Sequence, residues 1–136
     1  MAANAQVDDT HAAAVQGAWK LLSERLPRSP ILPFAGEATT RGLLLKAESL
    51  MPTGSFKIRR ATYCIARMSE DERAKGVVAY STGNHAQAVA KAAKDAGVKA
   101  TIVMSTDAPE PKVVNTRHWG ADVVMADSSS NARRAL

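Results

Sequence analysis

From residue 43 onward, short apolar runs alternate with helix-forming stretches, and glycine or proline marks most changes of phase. The runs at 43–47, 77–80, 98–104 and 121–125 have the length of strands. Ser55 can cap a helix over 56–68, and the alanine-rich stretch 84–95 is a second helix closed by Gly97. Pro109 and Pro111 start a third, which reaches Trp119 and stops at Gly120. Asp127 or Ser128 would cap a last helix over 131–136. Such alternation predicts an α/β fold: a parallel sheet with helices on both faces, in an open three-layer arrangement. Ligands of such sheets gather at the carboxyl ends of the strands, where Gly54 and Gly83 fall.

The region before residue 43 reads differently. Asp8, Asp9 and Thr10 offer helix caps, and Ala13, Trp19, Leu22 and Leu26 recur near helical spacing until Pro27. Two prolines hold 29–33 extended, and Gly42 marks a tight turn. The expected organisation is an N-terminal helix and arm over 1–28 and an α/β domain over 29–136.

Composition narrows the function. A hydrophobic fraction of 46% suffices for a packed core, and 4% aromatics make that core aliphatic. The net charge of +5 permits anion binding, but the basic residues are scattered, and Arg59-Arg60 and Arg133-Arg134 have no interleaved aromatics. Nucleic acid is therefore not the expected partner. A single cysteine excludes an internal disulfide framework. Cys64, among Ala61, Tyr63, Ile65 and Met68, is expected to be a small buried thiol. Residues 1–9 lack the basic start and apolar stretch of a signal peptide, and no apolar run approaches the ~20 residues that span a bilayer. No membrane association and a cytoplasmic location are expected.

Two turns carry the chemistry. In Pro52-Thr53-Gly54-Ser55-Phe56-Lys57-Ile58-Arg59, Lys57 follows a glycine turn at the start of a helix. The positive end of a helix dipole and partial burial both favour a neutral amine, the form that attacks an aldehyde. In Ser81-Thr82-Gly83-Asn84-His85-Ala86-Gln87, hydroxyls, an amide and the free N–H groups of a helix start come together. Such a place binds a carboxylate or a phosphate. A solvated lysine and an ordinary N-cap turn satisfy the same spacings. His11, His85 and His118 have no metal-ligand spacing, and neither a G-x-G-x-x-G nor a Walker loop is present.

Both motifs, with Val89-Ala90, Ala100-Thr101-Ile102-Val103-Met104, Ala108-Pro109, Lys112, Arg117 and Gly120-Ala121-Asp122-Val123, resemble the pyridoxal-phosphate-dependent threonine/serine dehydratase and serine racemase family. The similarity runs from about Ser29 onward. It implies fold type II, the tryptophan synthase β-like fold, with this chain matching the N-terminal segment and most of the smaller of two domains. It implies that Lys57 holds pyridoxal phosphate as a Schiff base and serves as the base at the substrate Cα. Phe56 would pack against the cofactor ring and Asn84 would hydrogen-bond its 3′ oxygen. Ser81, Thr82, Gly83 and His85 would surround the substrate carboxylate, and Ser55 would contact either ligand.

The implied activity is a lyase of amino-acid metabolism, releasing ammonia and a 2-oxo acid from L-threonine or L-serine. Serine racemase, or a related hydroxy-amino-acid lyase, is the alternative within the family. A non-catalytic α/β fragment without cofactor is the alternative outside it. A complete chain is expected to form a homo-oligomer. The family's glycine-rich phosphate loop is not found in this sequence, so the chain is expected to be incomplete at its C-terminus and to need that missing portion. Arg60 stands where the family usually has glycine, and Ser105 replaces a usual proline. Thr82 stands where dehydratases often carry alanine and racemases carry serine, which leaves the reaction type open.

Overall fold

A computed structural model describes residues 9–34 and 43–127. The expected turn at Gly42, the Asp8 cap and the helix over 131–136 lie outside the described residues. Helix α1 (Asp9–Ser23) leads to strand β1 (Ile31–Pro33), which pairs antiparallel with β2 (Leu44–Lys46), Leu32 opposite Leu45. After a single 3-10 turn come α2 (Lys57–Ala66) and the short α3 (Glu70–Lys75). Then β3 (Val77–Tyr80), α4 (Asn84–Asp95), β4 (Ala100–Ser105), α5 (Glu110–His118) and β5 (Asp122–Ala126) follow in strict alternation. The last three strands form a parallel sheet in the order β3-β4-β5, as the alternation predicts.

Two expectations need correction. The run at 43–47 is not a buried strand of that sheet: β2 belongs to the separate ribbon, and Leu44 is 64% exposed. Its leucines mimic a core strand, but among the described residues no second layer covers them. Cys64 is exposed, not buried. It falls on the outer side of α2, whose inward face is Ile58, Ala61 and Ile65.

The core sits around α4, which lies against α2 and against β3 and β4. Because both sides of α4 are packed, its residues must be small, and Ala86, Ala88, Ala90, Ala92 and Ala93 are all buried. Strand β4 is central, with Ile102 level with Ala79 on one side and Val123 on the other. Helix α3 has a reciprocal cap, Ser69 Oγ accepting from the Glu72 N–H and the Glu72 carboxylate accepting from the Ser69 N–H. It closes on Gly76, at φ +81°, where a Cβ would stand 2.8 Å from the Lys99 carbonyl oxygen. That oxygen already accepts from the Val77 N–H at 2.8 Å and cannot retreat without opening the β3–β4 ladder. Gly76→Ala should therefore cost about 1–3 kcal/mol from the backbone at φ +81° and ψ −173° alone, with the contact adding to it. A loss of unfolding free energy in urea smaller than that would contradict the crowding.

Candidate active site

The two glycine turns meet in one cleft. The first is closed by a hydrogen bond from the Gly54 N–H to the Met51 carbonyl, 2.7 Å, and Gly54 holds φ +70°, a conformation that favours glycine. The second follows β3 at the carboxyl edge of the sheet and leads into α4. Thr53 and Gly54 from the first turn, Asn84 and Gln87 from the second, and Lys112 from α5 share a cavity of about 330 Å³.

Lys57 is the first residue of α2 and is half-buried, its Nζ 5.0 Å from the centre of the exposed Phe56 ring. Ser55 is buried but does not cap the helix: Phe56 is the N-cap, and Ser55 Oγ has no hydrogen-bond partner. Gly83 is the N-cap of α4 and supplies no side-chain acceptor either. The first N–H groups of α4 are thus not capped by a side chain from that residue. Ser81 Oγ accepts from the Gly83 N–H at 3.3 Å and shapes the turn, while Thr82 is half-buried. Asn84 does not join that group freely, because its Oδ1 accepts from Lys112 Nζ at 2.8 Å.

Electrostatics tie the turns together. His85 is held below its ordinary value of 6.5, first by burial and then by the cations of Arg60 and Lys57. The unusual Arg60 therefore acts on the second turn. Arg60→Ala should raise the His85 titration midpoint towards 6.5, read from its ring protons by NMR. An unmoved midpoint would mean that the guanidinium does not reach the ring's field.

Behind Lys57, α2 is tied to the ribbon. Arg59 Nε and Nη2 grip the two oxygens of Glu48 at 2.9 and 3.0 Å, and Ser29 Oγ donates to the same carboxylate at 2.7 Å. Lys46 reaches Glu48 at 3.0 Å and also bonds Ser29. Arg59 is the largest of the influences that push the Glu48 pKa down from 4.5 to about 2. A carboxyl lowered on folding adds stability above its unfolded value, and that stability is lost as pH falls through the folded one. Wild-type stability should thus fall between pH 4.5 and about 2, and Glu48→Gln should flatten that limb in acid titrations followed by circular dichroism.

The turns leave unmet polar groups and open space for a polar ligand. Three buried polar atoms at the turns, Thr53 Oγ1, Ser55 Oγ and Gln87 Nε2, lack any partner. A Cβ at Gly54 or at Gly83 would meet nothing within 4 Å, so the chain's own packing leaves both places open. Gly83 has negative φ, and its missing side chain is explained by that open space better than by backbone strain. Lys112, Thr53 and Gln87 have no role assigned from sequence. Thr53 and Gln87 lie inside the quoted motifs, and Lys112 is among the residues that carry the resemblance but without a role of its own.

Residues 22–136 match the family model described as pyridoxal-phosphate dependent enzyme. The chain belongs to this family. Within the pyridoxal-phosphate dependent enzymes it is 54% identical over 89 residues to an L-threonine ammonia-lyase of Thermotoga maritima, covering 65% of this chain and 22% of that protein. It is 48% identical over 94 residues to an L-threo-3-hydroxyaspartate ammonia-lyase of a Pseudomonas species, covering 69% and 30%. The solved serine racemase of Dictyostelium discoideum superposes with a TM-score of 0.84 at 34% identity, over 90% of this chain and 41% of that one. A solved threonine deaminase from T.th. superposes at 0.80 with 37% identity, over 90% and 39%. The chain therefore spans roughly a fifth to a third of the length of these two curated relatives. These likenesses bear out the expected fold type II, with its parallel sheet and flanking helices. Among the described residues no helix is long and apolar enough to cross a membrane.

Proposed function

We propose that the chain is the lysine-bearing part of an ammonia-lyase that converts L-threonine or L-serine to a 2-oxo acid and ammonia. Its setting is the cytoplasm and its working form a homo-oligomer, with residues 1–28 as an arm and 29–136 as the α/β domain. The observation that carries this reading is the approach of the two turns: the Lys57 charge acts on His85 at the start of α4, which has no side-chain cap, and Thr53 and Gly54 share a cavity with Asn84, although Lys57 itself does not line it. The relatives named as ammonia-lyases support the choice of reaction.

Bound pyridoxal phosphate supplies an electron sink for the charge that develops at the substrate Cα. Lys57 would hold the cofactor through Nζ, and the same atom would take the Cα proton. Phe56, beside that amine, would offer a flat apolar face to the ring, Asn84 would hydrogen-bond the cofactor, and Ser55 would contact either ligand. The backbone N–H groups at the start of α4 bind the carboxylate, with Gly83 leaving room for it and the Ser81 and Thr82 hydroxyls and His85 around it. This anchoring orients the Cα–H bond towards Lys57. The β-hydroxyl leaves, and hydrolysis then yields the 2-oxo acid and ammonia.

Thr82 supports a second reading. A hydroxyl on the facing turn can carry a proton to the opposite side of Cα, and solved racemases share the fold. This chain joined to the C-terminal portion it is expected to need, and supplied with pyridoxal phosphate, should release 2-oxobutanoate and ammonia from L-threonine in equal amounts. D-serine formed from L-serine without 2-oxo acid would favour racemisation. Neither product would leave the non-catalytic alternative.

A further inference from the structure

A second cavity, of about 480 Å³, lies away from both glycine turns, between the end of α1, α2, α3 and the C-terminal half of α4. Ile65, Ala92 and Ala96 form an apolar wall, and Thr62, Arg73 and Arg25 bring polar groups to it. Two of these groups are buried without any partner, Thr62 Oγ1 and Arg73 Nε. The contrast with Thr116 is direct: that buried helical hydroxyl satisfies itself on the Lys112 carbonyl at 2.7 Å, and Thr62 does not. Arg73 Nη2 donates to the Ala66 carbonyl at 3.0 Å, which fixes the guanidinium in the wall. Asp95 also lines the space, but Lys91 holds its carboxylate at 2.6 and 2.7 Å. The charge left to an occupant is therefore positive, from Arg25 and Arg73.

We propose that this cavity binds a small aliphatic carboxylate. A hydroxyl and a guanidinium N–H match the two oxygens of a carboxylate, and buried donors of this kind are otherwise left unmet. The methyl-lined wall suits an alkyl tail and gives a fully hydrated inorganic anion nothing to pack against. The volume lies in the range of small-molecule sites.

Hexanoate titrated calorimetrically into the full chain should bind at one saturable site. Thr62→Val and Arg73→Gln should each weaken it about tenfold, as loss of a hydrogen bond to a charged group does. Because Arg73 also ties down the Ala66 carbonyl, the exposed Arg25→Gln serves as the variant that leaves the fold intact, and it should weaken binding as well. Lys57→Ala should bind hexanoate as the wild type does, which separates this site from the other cleft whether or not ammonia is released there. Three results overturn the proposal: no saturable heat, in which case water alone meets these donors; binding unchanged in both Thr62→Val and Arg25→Gln; or binding lost with Lys57→Ala.

Discussion

Lys57→Ala is expected to abolish covalent attachment of pyridoxal phosphate and to lower turnover by at least roughly 10³-fold, the scale of losing a positioned base together with the cofactor's anchor. The protein itself should stay folded. Lys57 is only half-buried at the first position of α2, and alanine is the better helix former. Borohydride reduction followed by peptide mass analysis reads the attachment directly. The informative control is Lys112→Ala, which removes the amine that does line the cavity, 2.8 Å from Asn84. Cofactor mass found on Lys112, or ammonia release surviving Lys57→Ala, would remove the basis of the proposed function.

The largest loss of stability should come from Ile102→Ala. Ile102 is fully buried in the middle of β4, between Ala79 and Val123 on neighbouring strands. Cutting it to a methyl leaves a cavity that a strand bonded on both sides cannot close, at a cost of about 2–5 kcal/mol. That is a large share of the total stability of a small domain. Urea unfolding of cofactor-free protein measures it without contribution from ligand binding. A change under ~1 kcal/mol would mean that β4 is not the centre of the core.

The alternation of strand and helix was readable because each element carries local chemistry: Gly97 after α4, the prolines before α5, and the short apolar runs of β3 to β5. Burial was less readable. Leu44 and Leu45 have the same residue types as a core strand, and only the pairing of β2 with β1 reveals them as an exposed ribbon. Cys64 failed for the same reason, since apolar neighbours in sequence lie on different sides of a helix. Helix α3 was missed although Ser69 and Glu72 are spaced as a reciprocal cap, because its six residues carry no apolar stripe. At the site, both glycine turns announced themselves. The hydrogen bond from Lys112 to Asn84 joins residues 28 apart in sequence, and no local pattern could foretell it.

The alanine wall of α4 also bears on inheritance. Single-base changes in an alanine codon yield valine, threonine, proline, aspartate, glutamate, serine or glycine, and of these only glycine adds no bulk, at a cost to the helix. With Ala88, Ala90 and Ala93 at most 1% exposed between α2 and the sheet, a saturating mutational scan should find this stretch nearly as intolerant as the lysine turn, for reasons of space instead of chemistry.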